Sequence, residues 1–222
     1  MTAGPVVRLW RHARRTARFP DAERLAKARA LVGYTKLQLD PRRRAVRLAV
    51  PGMQLDLGGI AKGYAADEAM KELRRFGIER ALVAAGGDIV AGAPPPDAAG
   101  WKIEMLPFKP SSGAEHSQLL LHECAVSTSG DAEQFVEIDG VRYSHIVDPR
   151  TGIALVGPTS VTVIAPNGTL SDALATAASV LGPQRGSALI DSISGAAALF
   201  LWRDGEVTHR RASKRWPGFV GK

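Results

Sequence analysis

The stretch Leu55-Asp56-Leu57-Gly58-Gly59-Ile60-Ala61-Lys62-Gly63-Tyr64 joins a predicted strand to a predicted helix. Gln54 to Leu57 is predicted as the end of a short strand. Ile60 to Phe76 is predicted as a helix because apolar residues recur at helical spacing, namely Ile60, Tyr64, Ala65, Ala69, Leu73 and Phe76. The glycine turn exposes backbone N–H groups at a helix start, where the helix dipole favours an anion. A phosphate site is one interpretation, and a glycine-rich turn with a surface lysine is the other.

The composition indicates a globular protein with a basic surface. The chain has 222 residues, 45% of them hydrophobic, and 29 Lys and Arg against 22 Asp and Glu give a net charge of +7. We expect one domain over residues 1–222. Only 6% of the residues are aromatic, and no RNP-like, zinc-finger or KH signature accompanies the basic residues. We therefore expect a solvated basic surface rather than nucleic-acid binding.

Cysteine content and hydropathy bear on the cellular compartment. Cys124 is the only cysteine, which excludes an intrachain disulfide and a cysteine metal cluster. No apolar stretch reaches 18 residues, so no simple membrane helix is expected. Residues 1–15 lack the basic-then-apolar order of a signal peptide and contain no lipoprotein-type cysteine. As written, the sequence predicts a cytoplasmic protein, and residues 1–20 receive no helix or strand assignment.

A hairpin is predicted around Asp139-Gly140, because both positions of this two-residue turn tolerate positive φ. Its strands are predicted over Glu133 to Ile138 and Val141 to Val147. Alternation along the second strand puts His145 on the same face as Tyr143 and Val147. Whether that face is core or cleft stays open.

A second helix is predicted over Asp172 to Leu181, with Ser171 as its N-cap. Asp172 and Thr176 are one turn apart, so a carboxylate and a hydroxyl project from one face. Hard oxygen ligands placed in this way can hold Mg²⁺ beside a phosphate. The alternative is that Asp172 serves the helix dipole and Thr176 belongs to the core.

A glycine pair followed by an acid, Ala85-Gly86-Gly87-Asp88, lies between two predicted apolar strands. This pattern is typical of an ordinary tight hairpin. It also suits a site where a carboxylate and bare backbone approach a ligand. The sequence alone leaves both interpretations open.

The order of the motifs is more specific than any one of them. The chain resembles the FAD:protein FMN transferase (ApbE) family along nearly its whole length, through five segments in the family's order: Met53 to Ala65, Ala85 to Asp88, Ser127 to Asp131, Ser144 to Gly152 and Ser171 to Ala177. The resemblance implies an α+β fold related to the T-fold, with mixed or antiparallel sheets and packed helices. It also implies Mg²⁺ as cofactor, FAD as donor, and transfer of FMN to a threonine hydroxyl of an acceptor flavoprotein with release of AMP.

The resemblance assigns roles to seven residues. Asp56 matches an adenine-side FAD contact, Lys62 a contact near the phosphates, and Val147 a flavin or phosphate contact at a strand end. For the metal, it implies the main-chain carbonyl of Gly59 and the side chains of Asp172 and Thr176. His145 matches the position expected for the general base toward the acceptor hydroxyl, a role that contributes roughly 10²–10⁴ in rate.

One departure from the family pattern concerns the start of the chain. Family members carry a substantial segment before the part that residues 2–10 resemble, and it usually bears the export signal and a lipid-bearing cysteine. The resemblance therefore implies a periplasmic or membrane-anchored protein and a chain shortened at its N-terminus. An FAD pyrophosphatase that yields FMN and AMP, or a noncatalytic FAD-binding remnant, are the alternative functions.

Overall fold

The computed structural model describes residues 1–105, 118–130 and 134–219. The helices are Gly4–Thr16 (α1), Ala22–Ala30 (α2), Ala61–Arg75 (α3) and Gly168–Asp191 (α4). The strands are Leu37–Asp40 (β1), Ala45–Leu48 (β2), Leu82–Ala85 (β3), Asp88–Ala91 (β4), Trp101–Glu104 (β5), Gln118–Leu121 (β6), Cys124–Gly130 (β7), Phe135–Ile138 (β8), Val141–Val147 (β9), Ala154–Val156 (β10), Thr159–Ala165 (β11), Ala197–Asp204 (β12) and Val207–Ala212 (β13). The pairings among these strands are antiparallel, and the predicted α+β class is confirmed.

The chain folds into two compact units. One comprises Met1–Leu57 and Glu133–Pro158, and the other Gly58–Ala132 and Thr159–Lys222. The sequence predicts one domain over residues 1–222. The division into two compact units does not test whether they fold together, so this stays a prediction. Within the described ranges, no helix has the length and apolar content needed to cross a membrane.

In the first unit, α1 packs on the three-stranded sheet β10-β9-β8. Val6, Trp10 and Ala13 are buried on one face of α1, at helical spacing. Pro5 lies in the first turn, where its missing N–H costs no hydrogen bond. The sequence analysis assigned no helix to residues 1–20, and this was wrong. The apolar residues of α1 recur at helical spacing, but the basic residues between them make the pattern hard to recognise.

The two local predictions in this unit have opposite outcomes. The hairpin is confirmed: Ile138 pairs with Val141, and Asp139 and Gly140 have φ values of 51° and 75°. The predicted first strand began at Glu133, which lies outside the described residues, as does Asp131 of the third segment of the resemblance. The predicted strand over residues 54–57 is wrong. Its Asp56 instead exchanges two backbone hydrogen bonds with Met1, so the segment is held by the chain start rather than by a sheet.

The second unit is built on a six-stranded sheet of order β13-β12-β11-β7-β4-β3. Helix α4 packs on β7 and β11, and α3 packs on α4, β3 and β4. Apolar residues of β11, α4, β12 and the position just before β12 form a buried cluster: Val161, Val163, Ala165, Leu174, Ala175, Ala178, Ile190, Ala196, Ala198 and Phe200. This cluster gives α4 a rigid support.

The start of α4 differs from the prediction. The helix begins at Gly168, and its N-cap is Asn167, whose side chain accepts a hydrogen bond from Leu170 N. Ser171 is therefore not the N-cap; it is fully buried inside the first turn. Backbone angles break at Gly182 (φ 76°), before Pro183, so the break coincides with the predicted helix end at Leu181.

Helix α3 has the predicted extent, but the buried face is not the predicted one. Tyr64 and Phe76, assigned to the apolar face, are 57% and 76% exposed. The buried residues are Gly63, Ala66 and Met70. Small residues face α4 because the two helices approach too closely for large side chains.

Candidate functional site

The N-termini of α3 and α4 meet at one point of the second unit. The Asp172 carboxylate, 3% exposed, accepts a hydrogen bond from Gly63 N in the first turn of α3, at 3.2 Å. The first N–H groups of a helix have no partner within the helix. Asp172 of one helix therefore caps the start of the other.

A second carboxylate makes the reciprocal contact. Asp67 of α3 accepts hydrogen bonds from Gly168 N at 2.6 Å and Thr169 N at 2.7 Å, and from the Thr169 hydroxyl. Asp67 satisfies the first N–H groups of α4 just as Asp172 satisfies one of α3. Sequence reasoning missed Asp67; its only local signal is its position one turn after Gly63.

Lys62 and Asp88 lie beside this junction. Lys62 Nζ is 2.9 Å from Asp88 Oδ2 and donates a longer bond of 3.4 Å to the carbonyl of Gly86. Asp88 is 1% exposed, and its Oδ2 has no hydrogen-bond partner of good geometry among the described residues, although the ammonium is close. The Gly86-Gly87-Asp88 segment forms the tight hairpin of the first interpretation, because Ala85 pairs with Asp88 across the turn. The second interpretation, a carboxylate brought to a ligand, agrees with the Lys62 contact and stays a prediction.

The charge balance of the site disfavours ionisation of Asp172. Burial raises the pKa of Asp172, and the charge of Asp88 raises it further. The hydrogen bond from Gly63 and the charge of Lys62 act in the opposite direction. Two buried carboxylates with one lysine leave an excess of negative charge, which a cation would neutralise.

Hydroxyl groups line the same face of α4. Thr176 is half-buried, and its Oγ1 is 3.3 Å from Ser129 Oγ on β7. One turn earlier, Ser171 Oγ is 2.7 Å from Ser127 Oγ and donates to the carbonyl of Gly168. Ser127 and Ser129 thus support the start of α4 from the sheet.

The residues present fit a magnesium ion. Mg²⁺ is usually held by one or two carboxylates together with substrate phosphates and water. Asp172 supplies a carboxylate, Thr176 a hydroxyl one turn away, and Gly59 lies buried in the turn just before α3. Among the described residues there is no group of three or more His, Cys, Asp or Glu that could hold a metal by itself. Such a site would need ligand oxygens to complete it.

The first unit contains the other three predicted residues. Asp56 Oδ2 accepts a short bond of 2.6 Å from Arg11 of α1, and the Asp56 side chain is 11% exposed. Val147 is buried and belongs to the apolar cluster around α1. Its side chain thus serves the core, in addition to any role of its backbone.

His145 has a defined hydrogen bond. Its Nδ1 lies 3.2 Å from the carbonyl oxygen of Gln134, and its backbone N donates to the same oxygen. A carbonyl only accepts, so Nδ1 carries the proton in the neutral ring and Nε2 carries the lone pair. This is the tautomer that a base acting through Nε2 requires.

The structure thus groups the predicted residues by unit. Lys62, Asp172 and Thr176 lie at the α3–α4 junction, and Gly59 immediately precedes it. Asp56, His145 and Val147 belong to the other unit. Asp67 and Ser129, to which sequence reasoning gave no role, connect the elements of the junction together with Asp88.

Comparison with known proteins gives a consistent result. The profile of the ApbE family matches residues 1–200. The FAD:protein FMN transferase of Treponema pallidum is 37% identical over 218 residues, which cover 92% of this chain and 60% of that protein. A protein of the same name from Klebsiella pneumoniae is 31% identical over 211 residues, with 93% and 60% covered. The chain therefore spans about 60% of the length of these curated relatives.

Solved structures agree with the fold. Flavin transferase ApbE from Vibrio cholerae superposes with a TM-score of 0.85 at 31% identity, over 98% of this chain and 69% of that one. The flavinyl transferase ApbE of Pseudomonas stutzeri, in its apo form, gives 0.83 at 34% identity, over 100% and 68%.

Proposed function

The chain belongs to the ApbE family, and from that premise we propose that it transfers FMN from FAD to a threonine hydroxyl of an acceptor flavoprotein. The transfer depends on Mg²⁺ and releases AMP. The observation that carries the proposal is the α3–α4 junction, where buried Asp172 and Asp88 lie beside Lys62. The relatives' name, FAD:protein FMN transferase, supports the same donor and class of acceptor.

The bond changes define what the residues must do. The acceptor oxygen forms a bond to the FMN phosphorus, the bond from that phosphorus to the bridging oxygen breaks, and AMP leaves. Negative charge develops on the phosphoryl oxygens and the leaving group. A lysine, a helix N-terminus and a cation are suitable stabilisers. Lys62, in the first turn of α3, supplies the first of these.

Asp172, Thr176 and the Gly59 carbonyl would hold the magnesium ion. When bound, the ion neutralises charge on the pyrophosphate oxygens. The chain's own contribution is rigidity, because Asp67 and Ser127 hold the start of α4 on α3 and on the sheet. Prearranged ligands cost little reorganisation during the reaction.

His145 is the proposed general base. It takes the proton of the acceptor hydroxyl as the oxygen attacks phosphorus. Its hydrogen bond to the Gln134 carbonyl supports this role because it orients the ring and selects the tautomer with Nε2 as acceptor. His145→Asn is expected to lower the transfer rate by about 10²–10⁴.

Asp56 and Val147 are proposed to contact FAD. Arg11 orients the Asp56 carboxylate through a 2.6 Å bond, so an acceptor oxygen is held in place for an adenine amino group. The Val147 side chain is committed to the core, so its proposed contact with the flavin or phosphate is made mainly by the backbone at the strand end.

Mass spectrometry of an acceptor flavoprotein domain tests the function. With FAD and Mg²⁺, the acceptor gains the mass of one FMN, and neither a threonine-to-alanine acceptor nor Asp172→Ala gives this product. Asp191→Ala is the control, because it removes a carboxylate from the opposite end of the same helix. FMN and AMP without a modified acceptor would instead identify a pyrophosphatase. FAD binding without AMP release would identify a noncatalytic protein.

A further inference from the structure

We propose that Asp88 is a positioning residue that holds the Lys62 ammonium against the β3–β4 turn, so that Lys62 presents one N–H to a phosphate of the dinucleotide. This inference rests on the proposed function and deepens it. It assigns a role to the carboxylate of the Gly86-Gly87-Asp88 segment, which the reaction itself does not use.

The contact joins a buried acid to an accessible lysine. Asp88 is 1% exposed, whereas the Lys62 side chain is 43% exposed. The Asp88 anchor is fixed on the sheet, because its pairing with Ala85 closes the β3–β4 hairpin and β4 also pairs with β7. One side of the ammonium is therefore held by rigid structure while another side faces solvent.

The turn is shaped to the lysine. Gly86 and Gly87 have φ values of 56° and 94°, in the region that favours glycine. A Cβ on Gly86 would lie 3.2 Å from Lys62 Cδ, whereas a Cβ on Gly87 would have nothing within 4 Å. A side chain at position 86, unlike one at position 87, would therefore meet the lysine.

Counting donors indicates what remains for a ligand. An ammonium group has three N–H donors. Within the described residues, Lys62 Nζ lies near Asp88 Oδ2 at 2.9 Å and the Gly86 carbonyl at 3.4 Å. The Lys62 ammonium is thus close to two oxygens of the chain, and its exposed side can donate to an anionic oxygen of a ligand.

The direction in which Asp88→Asn changes FAD affinity distinguishes a positioning role for Asp88 from a purely electrostatic one. Asp88→Asn removes a negative charge, so Coulomb's law alone predicts tighter binding of anionic FAD. Loss of the lysine position predicts weaker binding, by about tenfold for one charge-assisted hydrogen bond. In a Lys62→Met background, Asp88→Asn should no longer weaken binding.

The experiment is a calorimetric titration with FAD in the presence of Mg²⁺. It compares the wild type, Asp88→Asn, Lys62→Met and the double variant. Glu68→Gln, which removes the acid of the exposed Lys71 pair on the same helix, is the control for charge. Tighter or unchanged binding by Asp88→Asn, or additive effects of the two substitutions, would overturn the inference.

A second pair of variants avoids changing a buried charge. Gly86→Ala should weaken FAD binding more than Gly87→Ala, because both strain the turn but only the first meets Lys62. Equal effects would also overturn the inference. If wild type binds FAD and these differences appear but no acceptor is modified, the proposed function fails while the role of Asp88 stands. Absence of FAD binding by wild type would overturn both.

Discussion

Gly63 of α3 and Gly168 of α4 are in direct backbone contact. A Cβ on Gly63 would overlap the carbonyl oxygen of Gly168, and a Cβ on Gly168 would lie 2.6 Å from the carbonyl oxygen of Gly63. This close approach lets each helix receive a carboxylate from the other, Asp172 on Gly63 N and Asp67 on Gly168 N. The candidate metal ligands thus depend on two positions without side chains.

Gly63→Ala should destabilise the protein by about 3 kcal/mol or more, since the added methyl forces the helices apart. It should also weaken the stabilisation by Mg²⁺, because Asp172 Cβ lies only 2.9 Å from the new atom. Urea unfolding with and without Mg²⁺ measures both effects. Ala65→Ser, at an exposed position of α3, is the control and should change stability by less than about 0.5 kcal/mol. A Gly63→Ala protein as stable as this control would refute the close contact.

Asp67→Ala should cost about 1–3 kcal/mol, because it leaves the N–H groups of Gly168 and Thr169 without their acceptor. Chemical denaturation measures the loss. Glu68→Ala removes the neighbouring exposed acid and should cost much less. Equal losses in the two variants would show that the cap contributes nothing.

Asp172→Asn should stabilise the metal-free protein at neutral pH while abolishing its response to Mg²⁺. The folded-state pKa of Asp172 lies above its ordinary value of 3.8, because of burial and then the charge of Asp88. Ionisation therefore opposes folding: the favourable contribution of the protonated acid is complete below pH 3.8 and lost as pH rises through the folded-state pKa. An amide avoids this loss and can still accept the hydrogen bond from Gly63.

Thermal unfolding in EDTA, at neutral pH and near pH 3, tests this prediction. The Asp172→Asn advantage should be present at neutral pH and absent in acid, and added Mg²⁺ should raise the melting temperature of wild type alone. A variant less stable than wild type at neutral pH without metal would contradict it.

Arg150→Met should lower stability at neutral pH but not in strong acid. The side-chain hydrogen bond from Arg150 is the main cause that lowers the pKa of Asp148, below its ordinary value of 3.8. A lowered pKa contributes stability above pH 3.8, and that stability is lost as pH falls through the folded-state value. Urea midpoints across pH 2–7 measure the difference between variant and wild type. Arg75→Met, which removes an exposed ion pair with Glu72, is the control. If Arg150→Met lowered the free energy of unfolding equally at every pH, the result would argue against the Arg150–Asp148 ion pair.

Trp10→Phe should destabilise the first unit by about 1–3 kcal/mol, because the buried carbonyl of Gly152 loses its donor at 2.8 Å. Phe is also smaller than Trp, so lost packing against Tyr143 and Phe19 adds to this cost. Equilibrium unfolding followed by far-UV circular dichroism measures it. Leu9→Met, a volume-conserving change of a half-buried residue on the same helix, should cost less than about 1.5 kcal/mol.

Local patterns predicted elements whose causes are local. The Asp139-Gly140 hairpin follows from the tolerance of positive φ in two adjacent residues, and the extent of α3 follows from its spacing of apolar and small residues. The strand over residues 54–57 was wrong because alternation does not show which backbone will pair with it. Helix α1 is the opposite case, because its sequence does contain apolar residues at helical spacing, but they lie among arginines and were not recognised as a helix.

By itself, the sequence determined the order of five motifs and the residue types they bring, and hence the family. It also placed Asp172 and Thr176 on one helix face, because a helix sets the direction of side chains one turn apart. Only the tertiary structure decided that Asp172 meets Gly63, that Asp67 meets Gly168, and that Asp88 meets Lys62. These contacts join residues of different elements, and helix periodicity states which way a side chain points but not which distant backbone group it will find there.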